Sequence, residues 1–224
     1  LTLAAGTPPT GTPEQEAALV TLLAVGDLSD ADRHCELVAT TLHGSRIRRF
    51  HRFEGAWVTD VAGQASWTTT ELREQAEAPV SFLCAPMESG KRLGGDRDED
   101  TFLDGDDCAS ADPATWAAPP GASGLSVQLG VATSLSGEEM ASMSGPSMRY
   151  EVLSGDLGEL RSMGLVQATA CLSAGLEVPR HDDARAGPAP GHGFYYLARG
   201  RNACGVGSCG NGRELLDGLS CVEP

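Results

Sequence analysis

Between Leu93 and Pro113 the chain carries seven Asp and one Glu against a single Arg, so this one window holds −7 of the formal −15 of all 224 residues. Carboxylates this dense repel one another and favour an open chain unless a cation sits among them. The window is therefore either a solvated acidic linker or a site for a metal ion. Asp alternates with spacers, and the apolar pair Phe102-Leu103 sits in the middle; a linker has no need of that pair, so the metal reading is favoured.

The spacing is specific. Calcium takes six to eight oxygen ligands, and a twelve-residue EF-hand-like loop supplies them from its positions 1, 3, 5, 7, 9 and 12. Counted from Asp96, these are Asp96, Asp98, Asp100, the Phe102 carbonyl, Asp104 and Asp107. Two residues depart from the pattern: Thr101 stands where a Gly makes the sharp turn, and Asp107 replaces a longer, bidentate Glu. The expected ligand is one Ca²⁺ of modest affinity.

The length suits two compact units of roughly 100 residues each. Aromatic residues make up only 5% of the chain, with 28 Gly and 13 Pro, so short strands and turns are expected to outnumber long helices. The negative charge disfavours nucleic acid and anionic membrane surfaces, which are bound through clustered Lys and Arg. No run reaches the roughly 18 apolar residues of a membrane-spanning helix, so no membrane insertion is expected. Leu1 opens the chain without an initiator Met or a basic-then-apolar leader, which reads as a mature secreted product or a piece of a longer precursor. Seven Cys without a Cys-x-x-Cys pair fit disulfides in a periplasmic or extracellular setting better than a cytosolic zinc site.

Residues 1–12, rich in Thr, Pro, Gly and Ala, read as a linker. A helix is predicted after Thr12, with Pro13 in its first turn, Thr12 and Gln15 forming a capping box, Leu19, Val20, Leu22 and Leu23 an apolar stripe, and Gly26 as its stop. A β-meander follows in Cys35–Leu42, Ser45–Phe53 and Ala56–Asp60, then a second capping box at Thr68 and Glu71, then a strand Val80–Ala85. Residues 13–92 form a small α+β domain in this reading, 93–119 the calcium loop and a linker, and 120–224 a β-sandwich. The last rests on the alternation of Leu125, Val127 and Leu129, on Tyr150 and Val152 in 148–153, and on the aromatic run 194–198. The fold class expected is mainly β.

Two resemblances sharpen this outline. Ser89–Pro113, SGKRLGGDRDEDTFLDGDDCASADP, resembles the Asp-rich calcium loops of thrombospondin type 3 repeats and dockerins. The upstream CELVATTL and VSFLCAP resemble segments of modular secreted bacterial proteins, some of which carry β-propellers or c-type haems. In the second half, MRYEVLSGDLGELR and GFYYLARGRNACGVGSCG resemble strands C and F of a bacterial fibronectin type III domain. That resemblance implies Tyr150 and Tyr196 in an inter-sheet core. The tryptophan such a domain carries on strand B is absent, the nearest residues being Met140 and Met143. Domains of this kind space, dock or bind.

Cys35 is expected to pair with Cys84. Order and spacing then suggest Cys171–Cys204 and Cys209–Cys221, leaving Cys108 as the odd thiol. Signs of an enzyme are thin: there is no haem-attachment motif, Walker A loop or His-Glu-x-x-His. Ser208 lies in Gly-Val-Gly-Ser-Cys-Gly, where Val206 occupies a position at which a nucleophile elbow needs Gly, so a disulfide-bearing turn is the simpler reading. His181-Asp182-Asp183 offers metal-ligand types, but three adjacent residues rarely converge on one ion, and His34, His43 and His51 are scattered. Arg46, Arg48, Arg49 and Arg52 form a basic strand, expected to pair internally rather than to bind an anionic partner. The reading is a secreted calcium-binding structural or interaction module in which calcium rigidifies the interdomain joint and a protein partner or larger extracellular assembly is engaged. The alternative is an accessory part of a larger extracellular enzyme, or of a c-type cytochrome or propeller electron-transfer assembly.

Overall fold

The computed structural model describes residues 1–28, 32–210 and 221. It is mainly β, with three antiparallel sheets, and divides into two compact units, Leu1–Pro113 and Ala114–Pro224.

In the first unit, strands β1 (Thr2–Leu3), β2 (Glu36–His43), β3 (Arg46–Phe53), β4 (Ala56–Thr59) and β5 (Val80–Ala85) form one sheet in the order β1-β5-β2-β3-β4. The two hairpins joining β2, β3 and β4 turn on consecutive positive φ values, Gly44 and Ser45 at +60° each, then Glu54 at +47° and Gly55 at +77°. Such paired left-handed residues match the right-handed twist of the flanking strands. Helices α1 (Pro13–Gly26) and α2 (Thr69–Gln75) each start on the predicted capping box. In α1 the Gln15 carboxamide oxygen accepts from the Thr12 N–H at 2.8 Å; in α2 the Glu71 carboxylate accepts from the Thr68 N–H at 2.7 Å. A short helix, α3 (Gly90–Gly94), leads into the acidic loop. The core collects Leu37 and Ala39 of β2, Phe50 of β3 and Trp57 of β4, capped by Leu19 of α1 and Leu72 of α2.

The expected linker at 1–12 is instead part of this unit. Leu3 is buried in the core, and β1 pairs with β5. The N–H groups of Thr10 and Gly11 donate to the Glu16 carboxylate, which also receives Arg73 at 2.6 Å. One leucine and backbone hydrogen bonds anchor a segment whose composition alone suggests no core. The Cys35–Cys84 bridge forms as expected, with Cα atoms 5.4 Å apart. Three residues of the basic strand pair internally: Arg48 with Asp60 and Arg52 with Asp27, each at 2.6 Å, and Arg49 with Asp104 at 3.3 Å.

Among its described residues the second unit holds two sheets. Strands β6 (Ser126–Leu129), β7 (Thr133–Ser136) and β10 (Arg180–Asp183) form one, in the order β10-β7-β6. Strands β8 (Arg149–Asp156), β9 (Ala170–Leu176), β11 (Phe194–Asn202) and β12 (Gly205–Val206) form the other, in the order β12-β11-β8-β9. Helices α4 (Ala141–Ser144), α5 (Leu157–Met163) and α6 (Leu165–Ala168) fill connections. The sheets face each other: Tyr150, Val152, Leu176 and Ala198 line a narrow void of about 20 Å³ with Leu135. The Tyr196 hydroxyl donates to Asp183 across the gap at 2.8 Å. Tyr150 is buried against Met140 and Met148, its hydroxyl accepting from the Met140 N–H at 2.9 Å, whereas Met143 is exposed. Residues assigned to the linker before position 120 pack here too, for Asn202 donates its side-chain N–H to the Ala117 carbonyl at 2.8 Å and Thr115 is buried.

The opposite face of the four-stranded sheet is also covered. Leu153 and Leu197 pack with Cys209 and Cys221. Beside them Arg199 and Glu151, directly opposite in the β8–β11 register, form an ion pair of 2.7 Å with side chains 1% and 2% exposed. The cysteine pairing differs from expectation. Cys171 bonds Cys221 rather than Cys204; Cys108, expected as the odd thiol, is disulfide-bonded; Cys209, buried in that cluster, is the cysteine outside a disulfide. Pairing by order favours near neighbours, while the register Leu153↔Cys171 carries Cys171 to the sheet face where Cys221 lies.

Candidate metal centre

The acidic loop folds with the first unit, and two glycines let it lie close. A Cβ on Gly94 would stand 2.6 Å from the Phe50 carbonyl, and one on Gly105 would stand 2.5 Å from the Asp60 oxygen. Both contacts are too short for any side chain. The Gly105 N–H donates to that Asp60 carbonyl at 2.7 Å, and Asp106 accepts from the Ala62 N–H at 2.6 Å. A backbone bond from Asp104 N–H to the Gly95 carbonyl, 2.8 Å, closes the loop on itself.

Inside the closed loop the carboxylates divide their oxygens. Asp96 Oδ2 accepts from the Thr101 N–H at 3.2 Å, Asp100 Oδ1 from the Phe102 N–H at 2.7 Å, and Asp107 Oδ1 from the Ala109 N–H at 2.7 Å. The second oxygen of each, together with Asp98 Oδ2, is buried and has no hydrogen-bond donor. Asp96 is only 5% exposed. Carboxylate oxygens of Asp96, Asp98 and Asp100 lie within 4.8 Å of one another. Burial holds the Asp100 carboxyl above its ordinary range, and the charges of Asp98, Asp96 and Asp104 push it the same way. Asp107 is raised by burial and then by Asp100, Asp98 and Asp104. Four buried anionic oxygens without donors are costly alone and favourable around a hard cation.

Thr101, at the turn position, has φ +82°. The chain makes the turn that the pattern asks of glycine, with a β-branched residue in the strained left-handed region. Phe102 is exposed at the crown of the loop.

Asp104 is engaged differently from the expected ligand at position 9. Its side chain is 2% exposed, and Oδ1 accepts from the Arg97 N–H at 2.9 Å. Oδ2 accepts from Arg97 Nε at 2.9 Å and from Arg49 at 3.3 Å. Asp104 therefore ties the loop to β3, a role that needs Arg49 from 55 residues away in sequence. The basic strand was visible in the sequence; its partner was not.

The other candidate residues do not converge. Asp182 accepts from Ser134 at 2.6 Å, whereas Asp183 is held by Arg185 and Tyr196, the guanidinium keeping its carboxyl well below the usual range. Among the described residues no histidine joins a group able to hold a metal. Ser208 Oγ accepts from the Gly210 N–H at 3.4 Å, as a turn residue does. Comparison with known proteins finds no matching family model, no similar curated protein and no similar solved structure.

Proposed function

We propose that this chain is a secreted, non-catalytic calcium-binding module: one Ca²⁺ orders the segment 93–113, and the second unit serves as a spacer or docking domain for a protein partner. The observation that carries the reading is the set of four buried carboxylate oxygens, on Asp96, Asp98, Asp100 and Asp107, without hydrogen-bond donors. Their positions are 1, 3, 5 and 12 of a twelve-residue calcium loop. An all-oxygen donor set on a loop suits Ca²⁺, which tolerates irregular coordination, better than Mg²⁺, which demands a tight octahedron. Asp104 acts in this account through the Arg49 and Arg97 clamp and not as a direct ligand.

Three disulfides, and the absence among the described residues of a helix long and apolar enough to cross a membrane, are compatible with secretion. A fibronectin type III-like assignment of the second unit is supported by its strand order. The first, second and fifth strands share one sheet, and the third, fourth, sixth and seventh the other, a division that Greek-key sandwiches make.

Titration calorimetry on the whole chain tests the function. A single Ca²⁺ site is expected, with Mg²⁺ weaker and with the heat lost in Asp96→Asn, which removes a charge from the most buried of the four proposed ligand carboxylates. Absence of calcium heat, or equal affinity for the two ions, would overturn the proposal.

A further inference from the structure

Among the described residues the second unit has four sheet edges, and three of them are protected against pairing with another chain. Strand β10 carries Arg180, His181, Asp182 and Asp183; β12 is two residues long. Strand β9 meets β8 with two register shifts and is cross-linked through Cys171. Charges, bulges and shortness are the devices by which sheets avoid edge-to-edge association. The fourth edge, β6, is four residues long but carries neither charge nor bulge. No charged residue occurs from Leu125 to Ser136, in a chain of net charge −15.

The apolar side of β6 is left open. Val127 pairs with Leu135 in the register with β7, so Val127 and Leu129 lie on the face that carries the buried Leu135. Yet Val127 is half-exposed, Leu129 is 88% exposed and Val131 is fully exposed.

We propose that β6 is a self-association edge, pairing antiparallel with β6 of a second copy about a two-fold axis through Gln128. The sequence around that axis is self-complementary. Within β6, inversion about Gln128 sets Val127 opposite Leu129 and Gln128 opposite itself. Every apolar residue then meets an apolar residue, as an isologous interface requires. The absence of charge lets two strongly acidic chains approach there without like charges in direct opposition. The result is one continuous sheet, β10-β7-β6 with its two-fold copy. The contact is short, so association is weak and concentration-dependent.

Sedimentation velocity on the full chain over a range of concentrations is the primary test, with a monomer–dimer equilibrium expected. Leu129→Lys places two ammonium groups near the axis and is expected to weaken the dimer by about tenfold or more. Because Leu129 is exposed, the variant retains its fold. Gln128→Cys supplies a second reading: antiparallel partners lie about 4.5–5.5 Å apart at Cα, within disulfide reach. Mild oxidation is therefore expected to link two chains through position 128, identified by peptide mapping. Ser136→Cys, also exposed but on β7, is expected to give no link. A chain that stays monomeric, a dimer indifferent to Leu129→Lys, or equal cross-linking from positions 128 and 136 would each overturn the proposal.

Discussion

At the scale of single residues, the loop is built from carboxylates that each serve two purposes. One oxygen of Asp96, Asp100 and Asp107 fixes the backbone, and the other is held back from every donor. Thr101 works against this arrangement, because φ +82° strains a β-branched residue. Thr101→Gly should release about 1 kcal/mol of that strain, less what glycine adds to the unfolded chain's freedom. Calcium affinity should accordingly rise a few-fold by calorimetry, and a fall would show that the threonine side chain supports the site. Residue 199 makes the opposite kind of case. Arg199 and Glu151 are both buried, and removing Arg199 leaves the buried carboxylate with only the half-exposed Arg201, 3.3 Å away, as a charged partner among the described residues. Arg199→Met should cost about 3 kcal/mol in denaturant melts, and Glu151→Met combined with it should recover most of the loss. Equal losses in the single and double variants would mean that the pair acts through packing alone.

At the scale of elements, the acidic segment has a stability that depends on how its carboxylates titrate. Asp100 and Asp107 have folded pKa values above their unfolded ones. Without metal the folded loop therefore binds more protons than the unfolded chain. That contribution is present in acid and is lost as pH rises through the raised carboxylate range. The proposed calcium requires the ionised form, so its stabilisation would run the other way. Asp100→Asn should thus raise the melting temperature in chelator, by more at about pH 7 than at about pH 4, and lower it in saturating calcium. Thermal melts of the two proteins under these four conditions check the reversal of sign; an unchanged sign would separate the raised pKa from the metal site. Asp183 in the second unit has the opposite shift, through Arg185, so its contribution is present above the unfolded pKa and fades as pH falls through the folded one.

For the whole molecule, the proposed ion sits in the last segment of the first unit, just before the boundary at Pro113 and Ala114. Filling the site should stabilise the ordered segment in proportion to the logarithm of calcium over its dissociation constant. Chelation should then concentrate proteolytic cleavage between Gly94 and Ser123 before either unit unfolds. Limited proteolysis with and without chelator reads this directly, and an unchanged pattern would remove calcium from the organisation of the chain.

The sequence by itself determined what rests on neighbours within a few residues. Both capping boxes, the strand meander ending at Thr59 and the strand carrying Cys84 could all be read because helix caps and period-two alternation repeat over short, fixed intervals. Tertiary structure decided what depends on contacts between distant residues. Arg49 reaches Asp104 only because α3 lays the loop along β3; Cys171 finds Cys221, 50 residues on, only because β9 pairs beside β8; Leu3 enters a core that its Pro- and Gly-rich surroundings do not announce. The physical reason is that side-chain chemistry names the possible partners, while strand order and register select among them.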